Sequence, residues 1–324
     1  MSLGVVIVGL GQIGMGYDLG LDAKQYIYSH ARAFSLHPSF YLVAAVDPDS
    51  KQRDIFSQTF HAPAYATVEA ALTSHQPQLV VISTPTPLHK ETLQAVLLHA
   101  RPVAVLCEKP LSYSVTDGQW MVDACADAGV RLYVNYMRRS APGFIEIKKR
   151  LDSGEIKTPV KGVVWYSKGF LHNGSHFVNL MEYWLGAMQS STLINKGRSW
   201  SQTDAEPDVS IKFEKGEVVF LAAWEEKFSH YTVELLSPSG RLICANGGEI
   251  IEWQPVQTDG SSTHPSLSCS PVVIESGMAR YQWHVADQLA HSLMGTVAEI
   301  CSGKQAFDTL KLSVGVFIKA QIES

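Results

Sequence analysis

The sequence lacks the marks of a secreted, membrane-bound or nucleic-acid-binding chain. Its five cysteines, Cys107, Cys125, Cys244, Cys269 and Cys301, are odd in number and scattered. With no C-x-x-C pair they offer neither a disulfide framework nor a zinc set, so a reducing, cytoplasmic setting is expected, with each thiol packed as a small core hydrophobe. No block of lysine or arginine stands out, and the formal net charge is −5. That removes the electrostatic footprint of a nucleic-acid or anionic-membrane partner and leaves small molecules. Apolar runs stop short of the roughly 18 residues of a membrane span. The apolar N-terminus, LGVVIVGLG, lacks the basic flank and small-residue cleavage site of a signal peptide. Repeats and low-complexity tracts are absent as well.

What is present is enough chain, 324 residues of which 46% are hydrophobic, to build a core in each of two domains. Residues 5–14, VVIVGLGQIG, read as a buried strand that ends in Gly9, Gly11 and Gly14 at G-x-G-x-x-G, with Gln12 and Ile13 inside the motif. Such glycines permit a tight turn, close approach of a pyrophosphate, and packing of the next helix with its N–H groups facing the phosphates. Three glycines also suit an ordinary strand-to-helix turn. Asp47 weighs against that, because it ends a second apolar run, LVAAVD, where a carboxylate can accept from adenosine ribose hydroxyls and repel a 2′-phosphate. NAD is therefore expected over NADP, with Lys51 or Arg53 near enough in sequence to soften the preference. The usual spacing from glycines to acid is about 20 residues. Here it is longer, which marks MGYDLGLDAKQYIYSH as an insertion, either a surface loop or a lid.

Further unalternated runs, QLVVIST, PVAVLC and VRLYV, are separated by helical stretches such as ETLQAVLLHA, the pattern of a parallel sheet covered on both faces. The polar segments STPTPLH, EKP and NYMRR follow these strands, so they should line one crevice beyond the strand ends. After a helix at PGFIEIKKRLDSGEI the pattern changes. Strand-like stretches from residue 160 to 256, joined by turns such as EKGE and SPSG, suggest a largely antiparallel sheet. Residues 257–271 read as a loop, followed by helices at 278–294 and 307–322. The fold class is an α/β Rossmann domain plus an α/β C-terminal domain with a largely antiparallel open sheet.

Taken in order, GLGQIG, Asp47, STPTPLH, CEKP, NYMRR and HNGSHFVNL resemble the glucose–fructose oxidoreductase, inositol dehydrogenase and rhizopine-catabolism (Gfo/Idh/MocA) family over nearly the whole chain. The resemblance implies a Rossmann domain at 1–135, a substrate-binding and oligomerisation domain at 136–305, and a last helix, 306–324, packed back on the first domain. It implies hydride transfer between a nicotinamide cofactor and the hydroxyl or carbonyl of a sugar, sugar derivative or polyol. A homo-dimer or homo-tetramer formed through the second sheet is also implied. Cofactor contacts would come from Gly9, Gly11, Gln12, Ile13, Gly14, Asp47, Thr84, Pro85, His89, Glu108, Lys109 and Asn135. Two of these have plainer readings: Glu108 as a turn-capping carboxylate, and His89 as a helix-start residue with no ligand contact. Lys109 of E-K-P would also be catalytic, orienting the reacting oxygen and assisting its proton transfer, since desolvation and a cationic ring both disfavour an ammonium. A cis Lys109–Pro110 bond is implied too. Arg138, Arg139 or Lys168 would reach an anionic or hydroxyl-rich substrate, with at least one of the arginines a solvated charge.

The second motif departs from the family. Where D-x-G-x-H-x-x-D is common, this chain has His172, Gly174, His176 and Asn179. His176 takes the place of the catalytic base, while both acidic positions are neutral-capable. A neighbouring carboxylate would raise an imidazole's pKa and fix its tautomer. His172 is thus expected to orient His176 in its place, unless another acid serves the base. Two histidines lack the third and fourth ligands of a zinc site, and no metal is expected. Trp165, Tyr166, Tyr183 and Trp184 suit stacking on a sugar, although most belong in a core. Two alternatives stand beside the dehydrogenase: a redox-assisted glycosidase that holds NAD tightly, and an inactive cofactor-sensing regulator.

Overall fold

A computed structural model describes residues 2–257 and 264–322. The chain divides into two compact units, Met1–Ser140 with Ala279–Leu310, and Ala141–Met278 with Lys311–Ser324.

The first unit begins with β1 (Leu3–Val8), α1 (His30–Leu36), β2 (Phe40–Val46), α2 (Ser50–Phe60), β3 (Ala64–Tyr65) and α3 (Val68–Ser74). It continues with β4 (Leu79–Ile82), α4 (His89–His99), β5 (Ala104–Cys107), α5 (Val115–Asp127) and β6 (Arg131–Val134). Its six strands run in the order β3-β2-β1-β4-β5-β6, and every pairing is parallel. The order reverses between β1 and β4, so a crevice opens at their carboxyl ends. The sheet interior is dry: Val5, Ile7, Leu79, Val81 and Leu106 have no exposure and pack with Phe34, Val285 and Leu289. Burying each such side chain stabilises the fold by about 1.5–3 kcal/mol.

The insertion after the glycines is looped out of the first helix. Met15 N–H bonds to the Gly11 carbonyl at 2.9 Å, which starts a helical turn, but regular helix resumes only at His30. There, His30 and Ala31 donate to the carbonyls of Ile13 (3.0 Å) and Gly14 (2.9 Å), stitching α1 onto the glycine turn as if residues 15–29 were absent. Buried Asp18 anchors the loop. Its Oδ2 accepts from the N–H groups of Tyr28 (2.6 Å) and Ser29 (2.9 Å), and its Oδ1 from the Ser29 hydroxyl (2.6 Å). Arg32 adds a bond to the Leu21 carbonyl at 2.8 Å. These bonds tie the loop to the start of α1.

The second unit contains α6 (Pro142–Ser153), β7 (Val160–Tyr166), α7 (Ser175–Leu185), β8 (Met188–Ser201), β9 (Asp204–Phe213), β10 (Gly216–Ala222), β11 (Thr232–Ser237), β12 (Gly240–Ala245), β13 (Ile250–Gln257), β14 (Ser266–Leu267) and β15 (Val272–Ile274). The strand order is β14-β13-β12-β11-β7-β10-β9-β8, with β15 beside β13. All pairings are antiparallel except β7 with β10. Alternation is clean on β7: Val160, Gly162, Val164 and Tyr166 are buried, whereas Lys161 and Trp165 are exposed.

Helix α8 (Tyr281–Leu293), preceded by a tight turn at Met278–Arg280, groups with the first unit. Helix α9 (Gly303–Ile322) is shared, the residues up to Leu310 belonging to the first unit and those from Lys311 to the second. Within the first unit Leu310 packs against Gly118 of α5, where a Cβ would lie 2.5 Å from its Cδ2. Three local expectations change. The loop expected at 257–271 contains β14, and residues 258–263 of it lie outside the described residues, as do residues 323–324, which were expected to end the last helix. Cys269 is exposed, because it sits in the polar stretch between β14 and β15, while Cys107, Cys125, Cys244 and Cys301 are buried. Arg138 and Arg139 are both buried, so neither is the solvated charge expected of one of them. Among the described residues no helix is long and apolar enough to cross a membrane.

Candidate active site

In the first unit the glycine turn is shaped by close packing on one side and left open on the other. Gly9 has φ 98°, and a Cβ there would lie 2.7 Å from the Ser83 carbonyl oxygen. A Cβ on Gly14 would collide with the Gly9 carbonyl, yet one on Gly11 would meet nothing within 4 Å. Gly9 and Gly14 thus fold the turn, and Gly11 leaves its outer surface bare. Gln12 beside it is exposed and Ile13 half-buried. The Ser83 hydroxyl donates to the carbonyls of Val8 (3.1 Å) and Gly9 (2.8 Å), tying the end of β4 to the turn. Asp47 does the same from β2: Oδ2 accepts from Leu10 N–H at 2.7 Å and Oδ1 from Asp49 N–H at 2.9 Å. Arg53 lies against this corner, its guanidinium donating to the Asp47 and Pro48 carbonyls at 2.8 Å each.

The next two strand ends carry the remaining polar groups. Pro85 is exposed, and Thr84 precedes it with a buried Oγ1 that has no hydrogen-bond partner. His89 is fully enclosed, its ring nitrogens facing the Leu111 carbonyl (3.2 Å) and the Thr84 carbonyl (3.0 Å). Burial holds this imidazole below its ordinary value even though both carbonyls favour the charged form. It therefore clamps the turns after β4 and β5 together. Glu108, at the end of β5, joins a buried network: Oε1 accepts from His30 Nε2 at 2.7 Å and from Asn135 Nδ2 at 2.6 Å, and Oε2 from Lys109 N–H at 3.3 Å. Burial alone would push this carboxyl up. The His30 and Asn135 hydrogen bonds, with the charges of His30 and Lys109, outweigh it and hold Glu108 below the usual carboxylate range. Lys109 is half-buried and precedes a cis Lys109–Pro110 bond, as the resemblance implies. Asn135 Oδ1 is buried with no partner. An open glycine surface, a carboxylate at the end of β2 and two unpartnered buried oxygens just beyond β4 and β6 fit a dinucleotide.

In the second unit the histidine segment starts from two residues in left-handed geometry, Lys168 (φ 63°) and Gly169 (φ 88°). A single wide helical turn, Phe170–Gly174, then runs straight into α7. His172 is exposed, His176 is half-buried one turn later, and Asn179 is buried. The start of this helix has no side-chain cap of its own. Two acids of β9 supply it instead. Asp204 accepts from the N–H groups of Leu171, His172 and Ala205, all at 2.9 Å. Glu206 accepts from those of Lys168 (2.6 Å) and Gly169 (3.3 Å), and its other oxygen takes Arg198 Nε at 2.6 Å. Burial pushes the Asp204 carboxyl up to about 6 against the pull of its backbone donors. Of the four aromatics considered for sugar stacking, Tyr166, Tyr183 and Trp184 are core residues, and only Trp165 is exposed, at 39%.

Residues 3–136 match the family model described as "Oxidoreductase family, NAD-binding Rossmann fold". That segment is similar to the Gfo/Idh/MocA oxidoreductases, the family whose motifs the sequence resembles. An inositol 2-dehydrogenase of Streptomyces avermitilis is 33% identical over 161 residues, 49% of this chain and 43% of the relative. A D-apiose dehydrogenase of Paraburkholderia graminis is 32% identical over 130 residues, 40% of this chain and 34% of the relative. The chain thus spans less than half the length of these curated relatives. In fold the likeness runs over the whole chain: the WlbA dehydrogenase of Bordetella pertussis, solved with NADH and UDP-GlcNAcA, aligns over 100% of this chain and 96% of that one, with a TM-score of 0.76 at 17% identity.

Against the family pattern, sequence reasoning missed His30, Asp204, Glu206 and Arg198. His30 was hidden by the insertion, which moves it sixteen positions from Gly14 in sequence while α1 still docks on that turn. Asp204 and Glu206 precede the stretch that reads as a strand. Their alternation with Asp208, D-x-E-x-D, was the available signal, since a period of two places such acids on one side of a strand.

Proposed function

We propose that this protein is an NAD-dependent dehydrogenase that moves hydride between the cofactor and a secondary hydroxyl or ketone of a sugar, sugar derivative or polyol. The observation that carries the reading is the convergence, within one Rossmann unit of this family, of an open glycine turn, Asp47, Thr84, Lys109 and Asn135 at successive strand ends. The names of the relatives, an inositol and an apiose dehydrogenase, support the substrate class.

When bound, the nicotinamide supplies the hydride acceptor or donor. The chain supplies the rest. Gly11 admits the pyrophosphate, and the free lone pairs of Asp47 accept from the ribose hydroxyls while its charge repels a 2′-phosphate. Arg53 sits on the neighbouring carbonyls and weakens that repulsion without removing it. Lys109, held at the end of β5 by the Glu108 network, orients the reacting oxygen. His176 takes the proton of the substrate hydroxyl during oxidation and returns it during reduction. His172, Asn179, Arg138 and Lys168 serve substrate orientation.

The same reading includes a cytoplasmic setting and a homo-oligomer formed through the exposed face of the second sheet. That face carries Trp165, Leu236, Ile250 and Val273, apolar residues with 39–72% exposure. Sedimentation would detect the oligomer. For the activity, the test is a panel of polyols, sugars, uronic acids and nucleotide-sugars with NAD and NADP, read by absorbance of the reduced cofactor. Net reduction with NAD on at least one member is expected. Cofactor binding without turnover on any of them would leave the sensing reading instead, and glycoside cleavage without net reduction would favour the redox-assisted glycosidase.

A further inference from the structure

The family motif places acids at 172 and 179, and this chain has none there. The structure nevertheless puts a carboxylate directly under the same segment. Asp204, 2% exposed, comes from β9, bonds the backbone of Leu171 and His172, and sits so close to Gly169 that a Cβ on that glycine would overlap its Oδ2. Its neighbour Glu206 is neutralised by Arg198, whereas Asp204 forms no ion pair among the described residues. A bare charge at the start of a helix is favourable to that helix, and to any proton held by groups on its first turns.

We propose that Asp204 is a positioning residue for the His172–His176 segment, supplying from β9 the buried negative charge that the family motif carries at 172 and 179. The proposal rests on the reading of His176 as the base, and gives that base its acid. Asp204 acts in two ways. As a cap it fixes the backbone at Leu171 and His172, in the turn that runs into the helix carrying His176. As a charge it favours the protonated rings, because the carboxylate oxygen lies 2.9 Å from the His172 amide nitrogen and is screened by protein on its other sides. The other charged and titratable groups around Asp204 are Glu206 and Asp208 on its own strand and Tyr166 of β7. Arg198 of β8 faces the pair through Glu206, and Lys168, His172 and His176 lie on the capped segment.

A cap without an electrostatic role would affect only stability. The discriminating experiment is the NMR titration of the His172 and His176 ring resonances in the full-length protein, wild type against D204N, with no substrate present. The expected result is that at least one midpoint falls in D204N by about half a pH unit or more, a threefold loss of proton affinity. Unchanged midpoints in a D204N protein that retains its circular dichroism overturn the proposal. If D204N does not fold, the wild type decides alone: the amides of Leu171 and His172 report the Asp204 carboxylate, and a ring resonance should show a second inflection at their midpoint. Ring curves without that inflection overturn it. Because neither readout needs turnover, a failed Asp204 assignment is separable from a failed assignment of His176 as base, which H176A activity tests by itself.

Discussion

Two buried carboxylates, one in each unit, meet opposite fates. Glu108 is surrounded by His30, Asn135 and Lys109, and these outweigh the cost of burial and hold it ionised below the ordinary range. Asp204 accepts from three backbone N–H groups and forms no ion pair among the described residues, and burial pushes it up to about 6. Neutral donors favour the ionised form as well, but at Asp204 they fall short of the cost of burial, whereas at Glu108 hydrogen bonds and neighbouring charge together exceed it. The first unit accordingly holds its acid in a charge-balanced network. The second unit keeps an acid whose pKa lies within the pH range where an imidazole works.

The strongest challenge to this contrast is to remove the chemistry from each half separately. H176A and K109M should each lose on the order of a hundredfold or more in turnover while NAD affinity by calorimetry stays near wild type. H172A should lose less than H176A. A more damaging H172A, with folding and cofactor binding intact, would reverse the roles of the two histidines, and a fully active K109M would reduce Lys109 to structure.

A second test divides the glycines. G9A forces a positive-φ alanine against the Ser83 carbonyl and should destabilise the protein by about 2–4 kcal/mol. G11A meets open space, so its melting temperature should be unchanged while its affinity for NAD falls about tenfold. Equal stability losses in the two variants would contradict the assignment of Gly11 to the ligand surface.

D47A is expected to shift the ratio of NAD to NADP affinity by roughly tenfold toward NADP. It should also destabilise the fold by about 1–3 kcal/mol, because Leu10 N–H loses its acceptor. Unaltered discrimination would assign the preference to another residue.

The smallest effect is the most direct probe of the two acids. Glu108 has a depressed folded pKa, so its stabilisation is present above the unfolded value of about 4.3 and is lost as pH falls through the folded one. Asp204 has a raised folded pKa, so its contribution is present below about 3.9 and is lost as pH rises through about 6. Thermal melts between pH 4 and 6 should therefore show a downward component in the wild type, on the order of 5 °C, that D204N lacks. E108Q should keep that component and lose stability at neutral pH. Identical slopes in wild type and D204N would mean that Asp204 is not titrating there.

The first unit was largely legible because its signals are local. A run such as VVIVG states a buried strand, and G-x-G-x-x-G states the turn that follows it. The insertion was legible as extra length, but its anchoring was not, since Asp18 and Arg32 act through loop carbonyls and amides that no spacing reveals. The second sheet was legible as antiparallel strands, while the parallel pairing of β7 with β10 depends on a long crossover between distant segments.

By itself, then, the sequence determined the Rossmann unit, the family that unit resembles, and the candidate pair Lys109 and His176, because periodicity and short motifs are properties of neighbouring residues. Only the tertiary structure decided which groups support them. His30 and Asn135 reach Glu108 across 78 and 27 residues, and Asp204 reaches His172 across 32. Contacts of that range arise from packing and burial, and it is burial that turns an ordinary glutamate and an ordinary aspartate into groups with opposite responses to pH.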